Sequence, residues 1–217
     1  RKGVKEYGYE FVGFRDGWRG PLEGLTMKLD VAATHGILTK GGTILGSSRT
    51  NPFKIEGGVE KITENLAKLG IDALIAIGGE DTLGVATKLD SLGVKVIGVP
   101  KTIDNDYMGI DFTFGYFTAV DFLGGEIRNL LYDADAGRSY FICESMGRSA
   151  GWLAYGAAIS GEASLVISVE DIHGKYRTDE TSTDADGNTT TKPVMNVDEV
   201  VGRIVKTMRV REEKEGK

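Results

Sequence analysis

The stretch that decides the fold reads Ala73-Leu74-Ile75-Ala76-Ile77-Gly78-Gly79-Glu80-Asp81-Thr82. Its first half is an apolar run, which predicts a buried strand, and its second half is a glycine turn that leads into a helix over residues 82–92. A second β-branched run follows at residues 94–99. A strand, a helix and a strand in this order predict a right-handed crossover between parallel strands that are buried on both faces. The stretch therefore indicates an α/β fold.

The same alternation continues on both sides of this stretch. Further strands are predicted within residues 9–20, 140–144 and 165–169. Further helices are predicted over residues 22–34, 57–68, 117–131, 152–159 and 197–211. The order of these elements predicts a doubly wound, mostly parallel sheet with a Rossmann-like three-layer arrangement.

Two regions that differ in composition and in hydrophobic pattern predict one domain followed by a smaller appendage. Residues 1–170 contain the alternating strands and helices and are expected to form one α/β domain. Residues 171–217 begin with a Thr- and Asp-rich segment, which predicts an exposed hairpin or a disordered insertion before the last helix.

The composition excludes several classes of protein. With 41% apolar and 27% charged residues, the 217-residue chain is typical of a globular domain, and its net charge of -6 provides no basic surface for nucleic acid. No apolar run is long enough to cross a membrane, so no membrane partner is expected. A single cysteine excludes an intramolecular disulfide, which favours a cytoplasmic protein.

The loop after the second apolar run has the highest concentration of side chains that could take part in catalysis. It reads Pro100-Lys101-Thr102-Ile103-Asp104-Asn105-Asp106 and follows the carboxyl end of a predicted parallel strand, where open α/β sheets bind ligands. Asp104 can accept a proton from an attacking hydroxyl, while Asp106 can orient that hydroxyl or hold a metal ion. The alternative interpretation is a simple polar turn, since Asn and Asp are common turn residues.

Other loops at the same sheet edge suit phosphate. The turn at residues 78–82 can direct N–H groups and a helix amino terminus at an anion, and Glu80 could hold Mg²⁺ between its carboxylate and phosphate oxygens. Arg49, in a Gly- and Ser-rich loop, and Arg148, at another strand-to-helix junction, could bind phosphate. The alternatives are that Asp81 or Thr82 caps a helix, that Arg49 is a solvent-exposed surface residue, and that residues 146–148 are a helix start with a packing methionine.

Together these loops resemble the signature loops of the phosphofructokinases. The resemblance covers residues 9–170 and rests on the loops at residues 16–22, 41–49, 78–82, 100–106 and 146–151. It implies a phosphotransferase of glycolysis that phosphorylates the 1-hydroxyl of fructose 6-phosphate. The fold would be part of a phosphofructokinase-type fold, with the phosphoryl donor bound by the amino-terminal domain.

The resemblance also assigns roles on the sugar side. Asp104 would be the proton acceptor, with Thr102 and Asp106 beside it. The sugar phosphate would be bound by Met146, Gly147 and Arg148. Arg148 would also offset the negative charge that develops during phosphoryl transfer.

On the donor side, the resemblance distinguishes diphosphate from ATP. Glu80 would hold Mg²⁺ where most relatives have aspartate, and the donor phosphates would be bound by Arg49, Gly79, Thr82 and Lys101. ATP-using relatives commonly have glycine in place of Asp81 and often in place of Lys101, whereas diphosphate-using relatives resemble this chain at both positions. A carboxylate at Asp81 would occupy the path of a nucleotide, so diphosphate is the expected donor and ATP the alternative.

Several expectations concern the whole protein. Relatives have a strand and a phosphate loop that would precede Arg1 and sugar-phosphate ligands that would follow Lys217, so we expect a piece of a longer protein, inactive by itself. A homo-oligomer, dimer or tetramer, is expected, because family members send an arginine into a neighbouring subunit's site. That position is Ser139 here, and Arg138 one residue earlier is the candidate. A non-catalytic regulatory subunit with this fold is a further alternative.

Overall fold

A computed structural model describes residues 1–184 and 186–216. The chain divides into two compact units, a first unit of Arg1–Pro100 and a second unit of Lys101–Lys217. The predicted domain of residues 1–170 stays a prediction. Ala185 and Lys217, which belong to the predicted appendage, lie outside the described residues.

The first unit is an α/β unit. Its helices are α1 (Lys2–Tyr7), α2 (Arg19–Glu23), α3 (Gly58–Lys68) and α4 (Glu80–Ser91). Its strands are β1 (Val12–Phe14), β2 (Thr26–Lys28), β3 (Leu74–Gly78) and the greater part of β4 (Val96–Thr102). Strands β1 and β2 are antiparallel, whereas β3 and β4 are parallel and pair from Leu74 opposite Val96 to Gly78 opposite Pro100. The predicted parallel crossover is therefore confirmed.

One face of β3 carries the core of this unit. The buried side chains belong to the loop before α2, to α2, α3, β3 and α4, and they are Trp18, Leu22, Ile62, Leu66, Leu74, Ala76, Val85, Ala86 and Leu89. The prediction that β3 and β4 are buried on both faces is wrong, because Ile75 and Ile77 on the opposite face of β3 are 55% and 57% exposed and Ile97 of β4 is 64% exposed. The alternation of buried and exposed residues in β3 is that of a strand covered on one side.

The second unit contains a helix pair, a hairpin and a long helix. Its elements are β5 (Phe114–Gly115), α5 (Tyr116–Gly137), α6 (Trp152–Gly161), β6 (Arg177–Thr183), β7 (Thr189–Met195) and α7 (Val197–Glu215). Strand β5 pairs in parallel with Lys101 and Thr102 at the end of β4. Strands β6 and β7 form an exposed antiparallel hairpin within the segment predicted as a hairpin or an insertion.

Helices α5 and α6 pack in parallel through glycines. A Cβ on Gly156 would lie 2.7 Å from Val120, and one on Gly161 would lie 2.6 Å from Ile127, so the contacts advance along both helices in the same direction. A Cβ on Gly124 would lie 2.4 Å from the Ser160 Oγ atom. Such contacts leave no room for a larger residue at these positions. Because the two helices run in the same direction, they begin at the same end of the pair.

Three predicted elements are wrong. Residues 22–34 do not form a helix, because Gly24 adopts a left-handed conformation (φ 71°) that ends α2, and β2 follows. Residues 140–144 and 165–168 have irregular backbone instead of strands, and no strand pairs with them within the described part of the second unit. None of the helices formed by the described residues is long and apolar enough to span a membrane.

Candidate active site

The loop of the first unit that is predicted to bind the phosphoryl donor joins β3 directly to α4. Gly79 is the residue that precedes α4, and no side chain caps the helix, so the alternative that Asp81 or Thr82 serves as a cap is wrong. A Cβ on Gly78 would lie 2.5 Å from the Thr82 Oγ1 atom, which explains why glycine stands at the end of the strand. The amino terminus of α4 therefore remains open to an anion.

Glu80 and Asp81 are exposed in the first turn of α4. Within the described part of the chain, no group of three or more His, Cys, Asp or Glu side chains could hold a metal ion. Mg²⁺ in phosphoryl-transfer enzymes is usually bound by one or two protein carboxylates together with substrate phosphates and water, so a larger cluster of protein ligands is not required. The Glu80 carboxylate is thus a suitable donor for such an ion, although it cannot form a metal site alone.

The loop that contains Arg49 is held against the loop that precedes α2. The Asp16 N–H donates to the Leu45 carbonyl (2.7 Å), and the Ser48 hydroxyl donates to the Asp16 carbonyl (2.6 Å). The buried Trp18 ring in turn donates through Nε1 to the Thr82 carbonyl in α4 (3.3 Å). The structure therefore links the loops of residues 16–18, 45–49 and 79–82 within one unit, with the Arg49 side chain exposed.

Asp104 is the central feature of the second unit. Its N–H donates to the Thr102 hydroxyl (3.2 Å), and its Oδ1 atom is buried without a hydrogen-bond partner among the described residues. Burial, together with the charge of Asp106, raises the pKa of the Asp104 carboxyl. A carboxylate whose charge is poorly solvated has a strengthened affinity for a proton, which suits a general base. Lys101 and Asp106 nearby are exposed.

Two residues that sequence reasoning missed fix the shape of this loop. Asn105 has a left-handed backbone (φ 53°), and its side chain accepts from the Thr113 N–H (2.8 Å) and donates to the Asp111 carbonyl (3.2 Å). The Thr113 hydroxyl donates to the Thr102 carbonyl (2.6 Å). Asn105 was visible as a residue that tolerates positive φ, but nothing in the sequence distinguishes Thr113 from other threonines.

The loop of residues 146–151 is fixed at two glycines. Gly147 has φ 120°, and a Cβ there would lie 2.3 Å from the Ala150 carbonyl oxygen. The Gly151 N–H at the start of α6 donates to the Glu170 carboxylate (2.9 Å), which also accepts from the buried Ser168 hydroxyl (2.6 Å). Nothing in the sequence marks Ser168 or Glu170 as residues that hold this loop. This bracing leaves the Met146 and Arg148 side chains exposed.

The parallel helix pair brings these two loops of the second unit to one end. Residues 102–115 lead into α5 and residues 146–151 lead into α6, and the Tyr116 hydroxyl donates to the Trp152 carbonyl (3.1 Å) where both helices begin. The candidate sugar-side groups therefore share this end of the pair. They are Thr102, Asp104, Asp106, Met146, Gly147 and Arg148, and Lys101, which is predicted to bind the donor phosphates, lies at the same end.

Arg138 is not brought to this end. It follows α5 in a left-handed conformation (φ 49°), and the 22-residue helix separates it from the Thr113 end. A helix of this length spans about 33 Å. Arg138 therefore cannot serve the same site as Asp104 within one copy of the second unit.

A phosphofructokinase family model matches residues 1–212 of this chain. The chain belongs to the phosphofructokinase family. Among its curated relatives, the pyrophosphate--fructose 6-phosphate 1-phosphotransferase of Streptomyces coelicolor is 56% identical over 171 residues, which cover 78% of this chain and 50% of the relative. An ATP-dependent 6-phosphofructokinase 3 from the same organism is 44% identical, with 78% and 50% covered.

Solved phosphofructokinase structures agree with this family assignment. The pyrophosphate-dependent phosphofructokinase from Marinobacter aquaeolei has a TM-score of 0.63 and 26% identity, and the alignment covers 74% of this chain and 43% of that protein. The chain spans about half the length of the curated relatives that it matches. The resemblance to diphosphate-dependent phosphofructokinases drawn from the loops is confirmed by the relatives, and so is the α/β phosphofructokinase-type fold.

Proposed function

We propose that the whole protein transfers a phosphoryl group from diphosphate to the 1-hydroxyl of fructose 6-phosphate, a reversible step of glycolysis. The products would be fructose 1,6-bisphosphate and inorganic phosphate. One observation carries the proposal: the Asp104 Oδ1 atom is buried without a hydrogen-bond partner in the described residues, at the end of a parallel strand. An unsatisfied buried carboxylate oxygen is costly and is retained where a ligand completes it.

The reaction would proceed by in-line transfer with Asp104 as the base. Asp104 accepts the hydroxyl proton while the sugar oxygen forms its bond to phosphorus, and the bond from that phosphorus to the leaving phosphate breaks. Thr102 and Asp106 orient the hydroxyl. Lys101 neutralises charge on the leaving phosphate as a point charge, and Arg148 offsets the charge on the transferred group. Met146 and Gly147 contact the sugar phosphate.

Donor choice would depend mainly on Asp81. This carboxylate is exposed in the first turn of α4, beside the helix terminus to which donor phosphates would bind. Bringing a nucleotide phosphate within about 4 Å of it costs about 4 kcal/mol at an effective dielectric constant of about 20, or about three decades in affinity. Diphosphate has no group beyond its second phosphate, so it would not reach the Asp81 carboxylate. The similarity to the S. coelicolor diphosphate-dependent relative supports the same choice.

The remaining donor contacts involve the amino terminus of α4 and one arginine. The N–H groups that follow Gly79, the Thr82 hydroxyl and the Arg49 guanidinium would bind diphosphate oxygens. Mg²⁺ would be held by Glu80 and the donor phosphates, where it neutralises phosphate charge. We further propose a cytoplasmic homo-oligomer, in which Arg138 serves a neighbouring subunit.

Steady-state assays of the whole protein with each donor test the proposal. Wild type should use diphosphate, Asp81→Gly should gain ATP-dependent turnover, and Asp81→Asn should gain less because it removes charge but retains volume. Asp90→Asn, at the far end of the same helix, is the matched control and should behave as wild type. Turnover with ATP and none with diphosphate in wild type would refute the donor assignment.

A further inference from the structure

The loop that carries Asp104 is closed by a polar side chain buried in the protein interior. Thr113 is 4% exposed, and Thr113 and Ser168 are the buried polar side chains among the described residues. Buried hydroxyls are retained where their hydrogen bonds hold a particular backbone conformation. The hydrogen bonds that Thr113 donates all go to the segment of residues 102–106.

Thr113 contacts this segment at two points. Its hydroxyl donates to the Thr102 carbonyl (2.6 Å), before Asp104, and its N–H donates to the Asn105 Oδ1 atom (2.8 Å), after Asp104. The Asn105 amide group also donates to the Asp111 carbonyl (3.2 Å), which closes the loop from the other side. Asp104 is therefore held between two fixed neighbours, although neither Thr113 nor the Asn105 side chain is hydrogen-bonded to its carboxylate.

The backbone at Asn105 provides a second, independent constraint. Its φ of 53° reverses the chain between Asp104 and Asp106, and a non-glycine residue adopts this conformation at a cost. Asn tolerates it because its short amide side chain can hydrogen-bond locally, as it does here to residues 111 and 113. The reversal separates a partly buried Asp104 from an exposed Asp106.

We propose that Thr113 and Asn105 are positioning residues, which hold the Asp104 carboxylate in its desolvated orientation toward the hydroxyl that it deprotonates. The inference rests on the proposed function. Neither side chain would touch the substrate, so their loss should lower kcat much more than it raises KM for fructose 6-phosphate. A misplacement of the base by about 1 Å can reduce the rate about a hundredfold.

Kinetics of Thr113 variants in the whole protein test this proposal. Thr113→Val, which keeps the shape but removes the hydroxyl, should lower kcat at least about tenfold and leave KM within about threefold. Thr113→Ser restores the donor and should recover most of kcat. Thr190→Val, at an exposed position of β7, is the control and should match wild type. Wild-type kcat in Thr113→Val would overturn the proposal.

Asn105 variants and an NMR titration of the Asp104 carboxyl test the same proposal in further ways. The titration needs no turnover, so it does not depend on which substrate the protein uses. Asn105→Gly permits positive φ without the amide, so it should lose kcat but less than Asn105→Ala, which lacks both properties. Carbon-13 NMR of the Asp104 carboxyl should show its pKa falling in Thr113→Val, because a loosened loop admits water. An unchanged carboxyl titration in Thr113→Val and Asn105→Ala would refute the positioning role even if fructose 6-phosphate proves not to be the substrate. Lack of any wild-type turnover would refute the proposed function separately.

Discussion

Asp104 has a buried carboxylate oxygen and a raised carboxyl pKa, both of which make its ionised form unfavourable for stability. Its Oδ1 atom is buried without a partner in the described residues, and burial and the Asp106 charge raise the pKa of its carboxyl above the ordinary value of 3.8. A folded-state pKa above the unfolded value means that ionisation destabilises the fold at neutral pH. This cost is absent once pH falls below the unfolded pKa.

Asp104→Asn should therefore separate activity from stability. We expect turnover to fall at least about a hundredfold because the base is lost, while the free energy of unfolding at pH 7 rises by up to about 1 kcal/mol because a poorly solvated charge is removed. The gain should vanish near pH 3, where the wild-type carboxyl is protonated in both states. Urea unfolding at the two pH values measures this, and a variant less stable than wild type at pH 7 would contradict it.

Asp106 should tune the base electrostatically. Removal of its charge by Asp106→Asn lowers the pKa of the Asp104 carboxyl, so Asp104 stays ionised to a lower pH. The acid limb of the kcat/KM profile should accordingly move to lower pH, whatever the loss in absolute rate. An acid limb that does not move, or moves to higher pH, would show that Asp104 and Asp106 are not coupled in this way.

At the scale of elements, the parallel pair α5 and α6 sets the position of both loops that are proposed to bind the sugar phosphate. The close approach of these helices depends on glycines that face the partner helix, and it places the start of α5 beside the start of α6. The Glu170 carboxylate, which also accepts from the Ser168 hydroxyl, then accepts from the N–H of Gly151, the residue that precedes α6. Helix packing therefore sets where the two loops lie, whereas contacts within each loop set its local shape.

Two adjacent glycines of α5 provide a matched test of this packing. Gly124→Ala would place a Cβ 2.4 Å from the Ser160 Oγ atom, whereas Gly125 has no atom within 4 Å of such a Cβ. Gly124→Ala should destabilise the protein by about 1–3 kcal/mol through overpacking, and Gly125→Ala should stabilise it by about 0.5–1 kcal/mol through helix propensity. Thermal unfolding of both variants measures this, and equal effects would exclude the described contact.

For the molecule as a whole, the junction of strand and helix at residues 78–82 was predictable, because an apolar run there meets a glycine turn. The crossover from β3 to β4 was readable, since its apolar runs are bounded by glycine turns. The runs at residues 140–144 and 165–169 were misread because an apolar run forms a strand only beside a pairing partner, which its own composition does not reveal. Thr113 was missed for a similar reason, since its burial and partners arise only in the folded loop.

The most direct test of the central claim is phosphorus-31 NMR of the whole protein supplied with fructose 6-phosphate, Mg²⁺ and equal concentrations of diphosphate and ATP. If diphosphate is the donor, its signal falls as signals of inorganic phosphate and of the new sugar 1-phosphate rise together, while the three ATP signals persist. Formation of the bisphosphate with conversion of ATP to ADP and an unchanged diphosphate signal would contradict this donor assignment.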